Sequence, residues 1–365
     1  LELIAADEAT LSVFHEEVDV AQRREKCEHA GGVNLLTLRY LQWGVDRLHA
    51  ENIHKYADYF QALITMNTVV SVSSMRFGLN TFLVSPGFTD SDLSLIETFN
   101  NYGAEVIELA IVEPSLVTAS KLREALHHVG LGEPIVCGAF GAGRDLRGAP
   151  EQVETASAYI SDLIDLAVKL DSKIVCGPMY SETGRTAAHT AKEREAQSVQ
   201  IAEALRPLCA KAEAAGVLLA VEPLNRFETD CINTLDQAVC LIERVGSPAL
   251  KIHIDTFHMH IEEADSAAAI RRAGKYIAHV HASASHRGLL GKDQVDWQGV
   301  LRALNEIDYT GDIVIESFSA ENTVIAKATS IWRKLYESPE QLSVEGLEFL
   351  RENWKLVCES RCQSV

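Results

Sequence analysis

From Met75 onward the chain alternates between short apolar runs and longer stretches whose apolar residues recur every three to four positions. The short runs predict strands of a parallel sheet buried on both faces, and the longer stretches predict amphipathic helices laid over them. The runs are Phe77 to Leu83, Glu105 to Ala110, Pro134 to Gly138, Lys173 to Gly177, Val217 to Ala220, Lys251 to Ile254, Ile277 to Val280 and Asp312 to Ile315. Helices are predicted from Asp90 to Gly103, Ser115 to Val129, Pro150 to Leu170, Ala191 to Ala215, Thr234 to Val245, Ser266 to Ala273, Trp297 to Ile307 and Thr323 to Leu335. Gly130, Gly216 and Gly246 follow three of these, where a left-handed residue stops a helix at little cost. A further helix, Val344 to Leu356, is expected to pack on the outside.

Eight strand–helix units over about 260 residues fit the size and rhythm of an α/β protein of the (β/α)8 TIM barrel type. A doubly wound open sheet is the alternative. The glycine-rich run Gly138 to Arg144 lacks the spacing of a dinucleotide fingerprint, and no acidic-ended strand follows where one is expected. It reads as an ordinary loop at the active face. Residues 1–74 differ from the rest. Glu8 to Glu28 has only a weak helical period, Leu35 to Ala50 is more clearly amphipathic, and neither carries nameable chemistry. The expected organisation is therefore an N-terminal helical appendage, 1–74, and a barrel with a C-terminal helix, 75–365. The chain begins with Leu rather than Met, which reads as a fragment or an unusual start.

Composition narrows the function. The 365 residues, 47% apolar and 23% charged, describe a globular enzyme-sized chain. A formal charge of −19 argues against nucleic acid and against anionic membrane surfaces as partners, and fits a small neutral or cation-assisted ligand. The eight cysteines form no CxxC pair and read as reduced thiols of a cytoplasmic protein. The first residues lack the basic start and apolar core of a signal peptide, and no stretch is apolar long enough to span a bilayer.

The chemistry lies at strand ends. Glu222 follows the fifth run, Asp255 the sixth, His281 the seventh and Glu316 the eighth. Alone, each acid could be paired with an arginine or cap a helix, because an unpaired buried charge is too costly. In a barrel, however, the carboxyl ends of the strands form the catalytic face, so the four would converge. Three carboxylates and an imidazole, mostly hard ligands, suit a divalent cation such as Mn2+, Mg2+ or Co2+, and leave positions open for two substrate oxygens. Such an ion would stabilise an enolate, although zinc hydrolysis on the same ligands stays open. Glu228, His258 and Arg287 each sit a few residues beyond one of these groups, in the following loop. Individually they could be a surface arginine or a satisfied histidine. As a repeating set they read as a clamp for a hydroxylated ligand.

The motifs Glu222-Pro-Leu-Asn-Arg-Phe-Glu228, Asp255-Thr-Phe-His258, His281 to Arg287-Gly288 and Ile315-Glu316-Ser-Phe318 resemble those of the ketose 3-epimerases, a group of the xylose isomerase-like TIM barrels. The resemblance covers about Met75 to the carboxyl terminus. It implies that Glu222, Asp255, His281 and Glu316 bind one divalent ion per subunit. It further implies that Glu228, His258 and Arg287 hold the oxygens at carbons 1 to 3 of a ketose. The implied reaction is epimerisation of a free ketose at carbon 3 through a metal-bound cis-enediolate, with Glu222 and Glu316 as the two bases. A small-molecule sugar is then the partner, and a homodimer or homotetramer is expected. Two features depart from the group's pattern: Ala284 stands where many members carry a glutamate, and residues 1–74 have no counterpart. The competing readings are an aldose–ketose or hydroxypyruvate isomerase, a lyase or dehydratase acting on a 3-oxo sugar, and a non-catalytic sugar-binding barrel. A DNA repair nuclease on the same barrel is opposed by the charge.

Overall fold

The computed structural model describes residues 75–321 and 323–363, and in it eight parallel strands pair in sequence order and close on themselves. They are β1 (Phe77–Asn80), β2 (Val106–Ile111), β3 (Ile135–Gly138), β4 (Ile174–Gly177), β5 (Leu218–Val221), β6 (Leu250–Asp255), β7 (Ile277–Ala282) and β8 (Ile313–Ile315). Closure comes from β1 beside β8, with Phe77 opposite Ile313 and Leu79 opposite Ile315. The open-sheet alternative is thereby excluded. Every residue of β1, β2 and β3 is buried, as continuous apolar runs require when both faces are covered. Val106, Ile135, Cys137, Cys176, Ala220 and Val314 fill part of the barrel with small and branched side chains.

The helices around the barrel are α1 (Ser94–Asn101), α2 (Ala119–His128), α3 (Pro150–Lys169), α4 (Ala191–Ala215), α5 (Leu235–Val245), α6 (Thr256–Glu262), α7 (Ser266–Ala273), α8 (Trp297–Glu306), α9 (Thr323–Thr329) and α10 (Pro339–Gln363). Their stops and starts have local causes. Thr190 and Glu193 cap α4 reciprocally, the Thr190 side chain accepting from Glu193 N and the Glu193 carboxylate accepting from Thr190 N. Gly216 and Gly246 end α4 and α5 at φ 69° and 75°. The apolar stripe of α3, including Ile160, Leu163 and Ile164, is fully buried, each side chain contributing about 1.5–3 kcal/mol.

Some boundaries differ from expectation. The stretches from Asp90 and from Ser115 open with single 3-10 turns, Asp90–Asp92 and Pro114–Leu116, before α1 and α2 begin. α9 stops at Thr329 rather than Leu335, because Ser330 turns left-handed at φ 58° and Ile331 N bonds back to Ala326 O. α10 runs from Pro339 rather than Val344, with proline at its first position and the Ser338 hydroxyl accepting from Gln341 N. α6, directly after β6, is an addition that the strand–helix alternation did not predict.

By its contacts Met75–Trp354 forms one compact unit. The proposed appendage, 1–74, lies outside the described residues. Cys137, Cys176, Cys209, Cys231 and Cys240 are free thiols. Among the described residues no helix is long and apolar enough to cross a membrane.

β3 and β4 both end on glycine, and at Gly177 this is required. Its φ is +125°, and a Cβ there would stand 2.6 Å from Gly138 O. Gly177→Ala is expected to destabilise the barrel by about 1–3 kcal/mol, measured by denaturant unfolding. An unchanged midpoint would mean that the end of β4 relaxes freely.

Candidate active site

Four consecutive strands deliver one side chain each to a common point. Glu222 follows the last residue of β5, Asp255 is the last residue of β6, His281 lies in β7 opposite Asp255, and Glu316 follows β8. One ligand atom from each lies within 4.8 Å of the others, and all four residues are buried. His281 Nδ1 is 3.5 Å from Glu316 Oε1 and 3.8 Å from Asp255 Oδ2. It has no hydrogen-bond partner among the described residues, whereas Nε2 of the same ring is bound to Glu108 Oε1 at 2.6 Å. Asp255 is divided between two tasks. Its Oδ1 caps α6, accepting from Phe257 N at 2.6 Å and His258 N at 3.3 Å, while Oδ2 faces the site.

Arg287 is the cation of this cluster. Its Nη1 donates to Asp255 Oδ2 at 2.7 Å, Glu316 Oε2 at 2.8 Å and Ser283 Oγ at 2.7 Å. Phe257 and Phe318 flank the guanidinium, 4.1 and 5.0 Å from ring centre to Cζ. The residue has φ 61°, an uncommon conformation for a branchless but bulky side chain, in a turn closed by Arg287 N donating to Ala284 O. Such strain costs about 1–3 kcal/mol and is retained where surrounding contacts impose it.

Three carboxylates against one guanidinium leave the site electron-rich, and the titrations follow. Burial pushes the Glu222 carboxyl well up, and the nearby charges of Glu316 and Asp255 add to it. Burial would raise Asp255 as well, but Arg287, His258 and His281 outweigh it and hold that carboxyl below its usual range. Burial disfavours a charged His281, yet Glu108 and Glu316 draw its imidazole well above the ordinary value.

The residues expected to form a clamp border this cluster unequally. His258 lies in α6, not in a loop as expected, because the Asp255 cap starts the helix at once. Asn225 N donates to His258 Nδ1 at 3.1 Å, so the ring proton sits on Nε2, 3.7 Å from Glu222 Oε1. Burial lowers the pKa of this imidazole. Glu228, half-buried in the loop after β5, is tied to the others through Asn225 Nδ2, which donates to Glu228 Oε1 at 2.7 Å.

Residues 96–353 match the family described as xylose isomerase-like TIM barrel. An L-ribulose 3-epimerase of Mesorhizobium japonicum is 33% identical over 279 residues, covering 75% of this chain and 93% of that one. A solved L-ribulose 3-epimerase superposes with TM-score 0.74 at 31% identity over 78% of this chain and 96% of the other. The chain belongs to the xylose isomerase-like TIM barrels, in their ketose 3-epimerase group. A D-allulose 3-epimerase from Methylomonas sp., solved in complex with D-allulose, has TM-score 0.72 at 26% identity, over 77% of this chain and 97% of that one.

For this member of the ketose 3-epimerase group, the sequence reading missed several polar residues beneath and beside the site. Glu108 accepts from both His279 and His281, Ser283 Oγ lies 3.0 Å from Asp255 Oδ2, and Asn225 links His258 to Glu228. Glu108 was detectable in principle, as an acid inside the wholly buried run Val106–Ile111. Ala284 is buried in the turn that carries Arg287, with no acidic group of its own to offer the pocket.

Arg287 neutralises two buried carboxylates at once, so its loss leaves both uncompensated. Arg287→Leu is expected to lower the unfolding free energy of chelator-treated protein by about 3–5 kcal/mol, read from denaturant unfolding. A change below about 1 kcal/mol would show that the carboxylates find other partners or take up protons at no cost.

Proposed function

We propose that this protein epimerises a free ketose at carbon 3, using a divalent cation held by Glu222, Asp255, His281 and Glu316. The carrying observation is the meeting of three buried carboxylates with the unpartnered Nδ1 of His281 around one point. Three hard oxygens and one imidazole nitrogen fit Mn2+, with Mg2+ or Co2+ as alternatives, and the single Arg287 leaves negative charge for an ion to balance. The ion, when bound, supplies Lewis acidity that stabilises negative oxygen on the substrate.

The chain's own groups do the rest. Glu222 and Glu316 come from β5 and β8, three strands apart around the barrel, and would lie on opposite faces of a planar enediolate. One removes the proton from carbon 3, and the other returns a proton to the opposite face. Burial pushes Glu222 toward its protonated form, while Arg287 is bonded to Glu316 Oε2. Arg287 and the Nε2–H of His258 would donate to substrate oxygens, and Glu228 would accept from a hydroxyl. A carboxylate in that clamp disfavours phosphorylated sugars.

The test is proton NMR in D2O with Mn2+ and a panel of free ketoses, their phosphates and a 3-oxo glycoside. A carbon 3 epimer carrying deuterium at that position is expected, with activity lost on chelation and restored by Mn2+. Exchange confined to carbons 1 and 2 would indicate an aldose–ketose isomerase, and release of a leaving group a lyase.

Replacing either base, as Glu222→Gln or Glu316→Gln, should reduce epimerisation by about 10²–10⁴-fold. With Mn2+ in excess, Glu316→Gln should still exchange the carbon 3 proton of the epimer served by Glu222, without inversion, and Glu222→Gln should show the opposite preference. Equal loss of exchange with both epimers in both variants, ion still bound, would contradict this division of labour.

A further inference from the structure

Glu108 sits on β2, and the two histidines it meets sit on β7, with β1 and β8 between those strands. Its carboxylate therefore reaches through the barrel interior. Oε1 accepts from His281 Nε2 at 2.6 Å and from Asn80 Nδ2 at 2.5 Å, and Oε2 accepts from His279 Nε2 at 2.5 Å. The residue is 0% exposed. An unpartnered carboxylate at such depth would cost several kcal/mol, and here both oxygens are matched to N–H donors. Asn80 is itself fixed, opposite Glu108 across the β1–β2 ladder, with Oδ1 accepting from Phe82 N.

We infer that Glu108 is a positioning residue for His281: by holding Nε2 as the N–H end of the ring, it keeps Nδ1 turned toward Asp255 and Glu316 as the ligating end. The inference rests on the cation reading of those four residues. An ionised carboxylate only accepts hydrogen bonds, so the ring nitrogen facing Glu108 must carry a proton, and the lone pair for a cation can come only from Nδ1. A histidine that donates its second nitrogen to a carboxylate is also fixed in ring orientation and is a more basic ligand.

Two other readings of the same residues are weaker. Glu108, Cys137, Cys176 and His281 present ligand atoms within 4.8 Å of one another and could be taken for a second cation site. However, two ligands bound at 2.0–2.1 Å to a tetrahedral ion stand roughly 3.3 Å apart, and Glu108 meets both imidazoles at 2.5 and 2.6 Å. Those are hydrogen-bond separations. The other reading is a buried polar network that only stabilises the barrel. It predicts a loss of stability on mutation but no specific effect on cation binding.

The experiment measures Mn2+ dissociation constants of chelator-stripped protein by electron paramagnetic resonance, alongside the Tm of the metal-free form. Glu108→Leu, which removes every acceptor from His281, is expected to weaken Mn2+ binding by about 10–100-fold. Glu108→Gln keeps the shape and one acceptor oxygen and should fall between Glu108→Leu and the wild type. His279→Phe removes a partner of the other carboxylate oxygen, so it should lower Tm while leaving Mn2+ affinity within about 3-fold of wild type, well short of the 10-fold loss typical for such outer partners. Glu108→Leu and Glu108→Gln binding Mn2+ as the wild type does would overturn the inference. So would His279→Phe weakening binding as much as Glu108→Leu, which would assign the effect to packing. If Glu108→Leu does not fold, Glu108→Gln decides alone, with an unchanged dissociation constant counting against. A wild-type protein that binds no Mn2+ fails differently, by removing the cation reading itself.

Discussion

The architecture turns on a concentration of buried negative charge. Glu222, Asp255 and Glu316 meet at the carboxyl ends of β5, β6 and β8, and Glu108 adds a fourth carboxylate within the barrel. Charges at such depth persist only when paired or hydrogen-bonded. Arg287 serves two of them, the imidazoles of His279 and His281 serve Glu108, and the main chain of α6 takes one oxygen of Asp255. What remains is an excess of acceptors around the unpartnered Nδ1 of His281.

The barrel makes this arrangement affordable because its strands are held in register by backbone bonds that do not depend on the site. Asp255 stands opposite His281, and His253 opposite His279, so alternation places each pair at one level of the interior. Loops supply what strands cannot. The turn from Ala284 to Arg287 accepts a left-handed conformation at Arg287, and the loop after β5 is braced by Asn225 and by the pairing of the exposed Arg226 with the buried carboxylate of Glu262. On the proposed reading, strand ends would carry the reacting groups, and the loops and the short helix α6 would carry the groups that meet a ligand.

Much of this was legible in the order of residues. The runs and periods from Phe77 to Ile315 correctly announced strands and helices, since continuous apolar runs and amphipathic stripes follow directly from which faces are buried. Glu222, Asp255, His281 and Glu316 stood out because charge at the end of a buried run is anomalous. The Glu108 contact was not legible, because its partner His281 is 173 residues away and only closure of the barrel brings the two together. α6 was missed because Asp255 read as a strand-end acid, whereas it is also the cap that starts a helix at the next residue. The early end of α9 depends on a left-handed Ser330, a conformation that serine does not advertise.

The most direct check on the account is anomalous diffraction at the manganese edge from crystals grown with Mn2+. The account predicts one strong peak enclosed by Glu222, Asp255, Glu316 and Nδ1 of His281, at roughly 2.0–2.3 Å from their ligand atoms. A peak instead among Glu108, Cys137 and Cys176, or no peak at the strand ends with Mn2+ in excess, would contradict it.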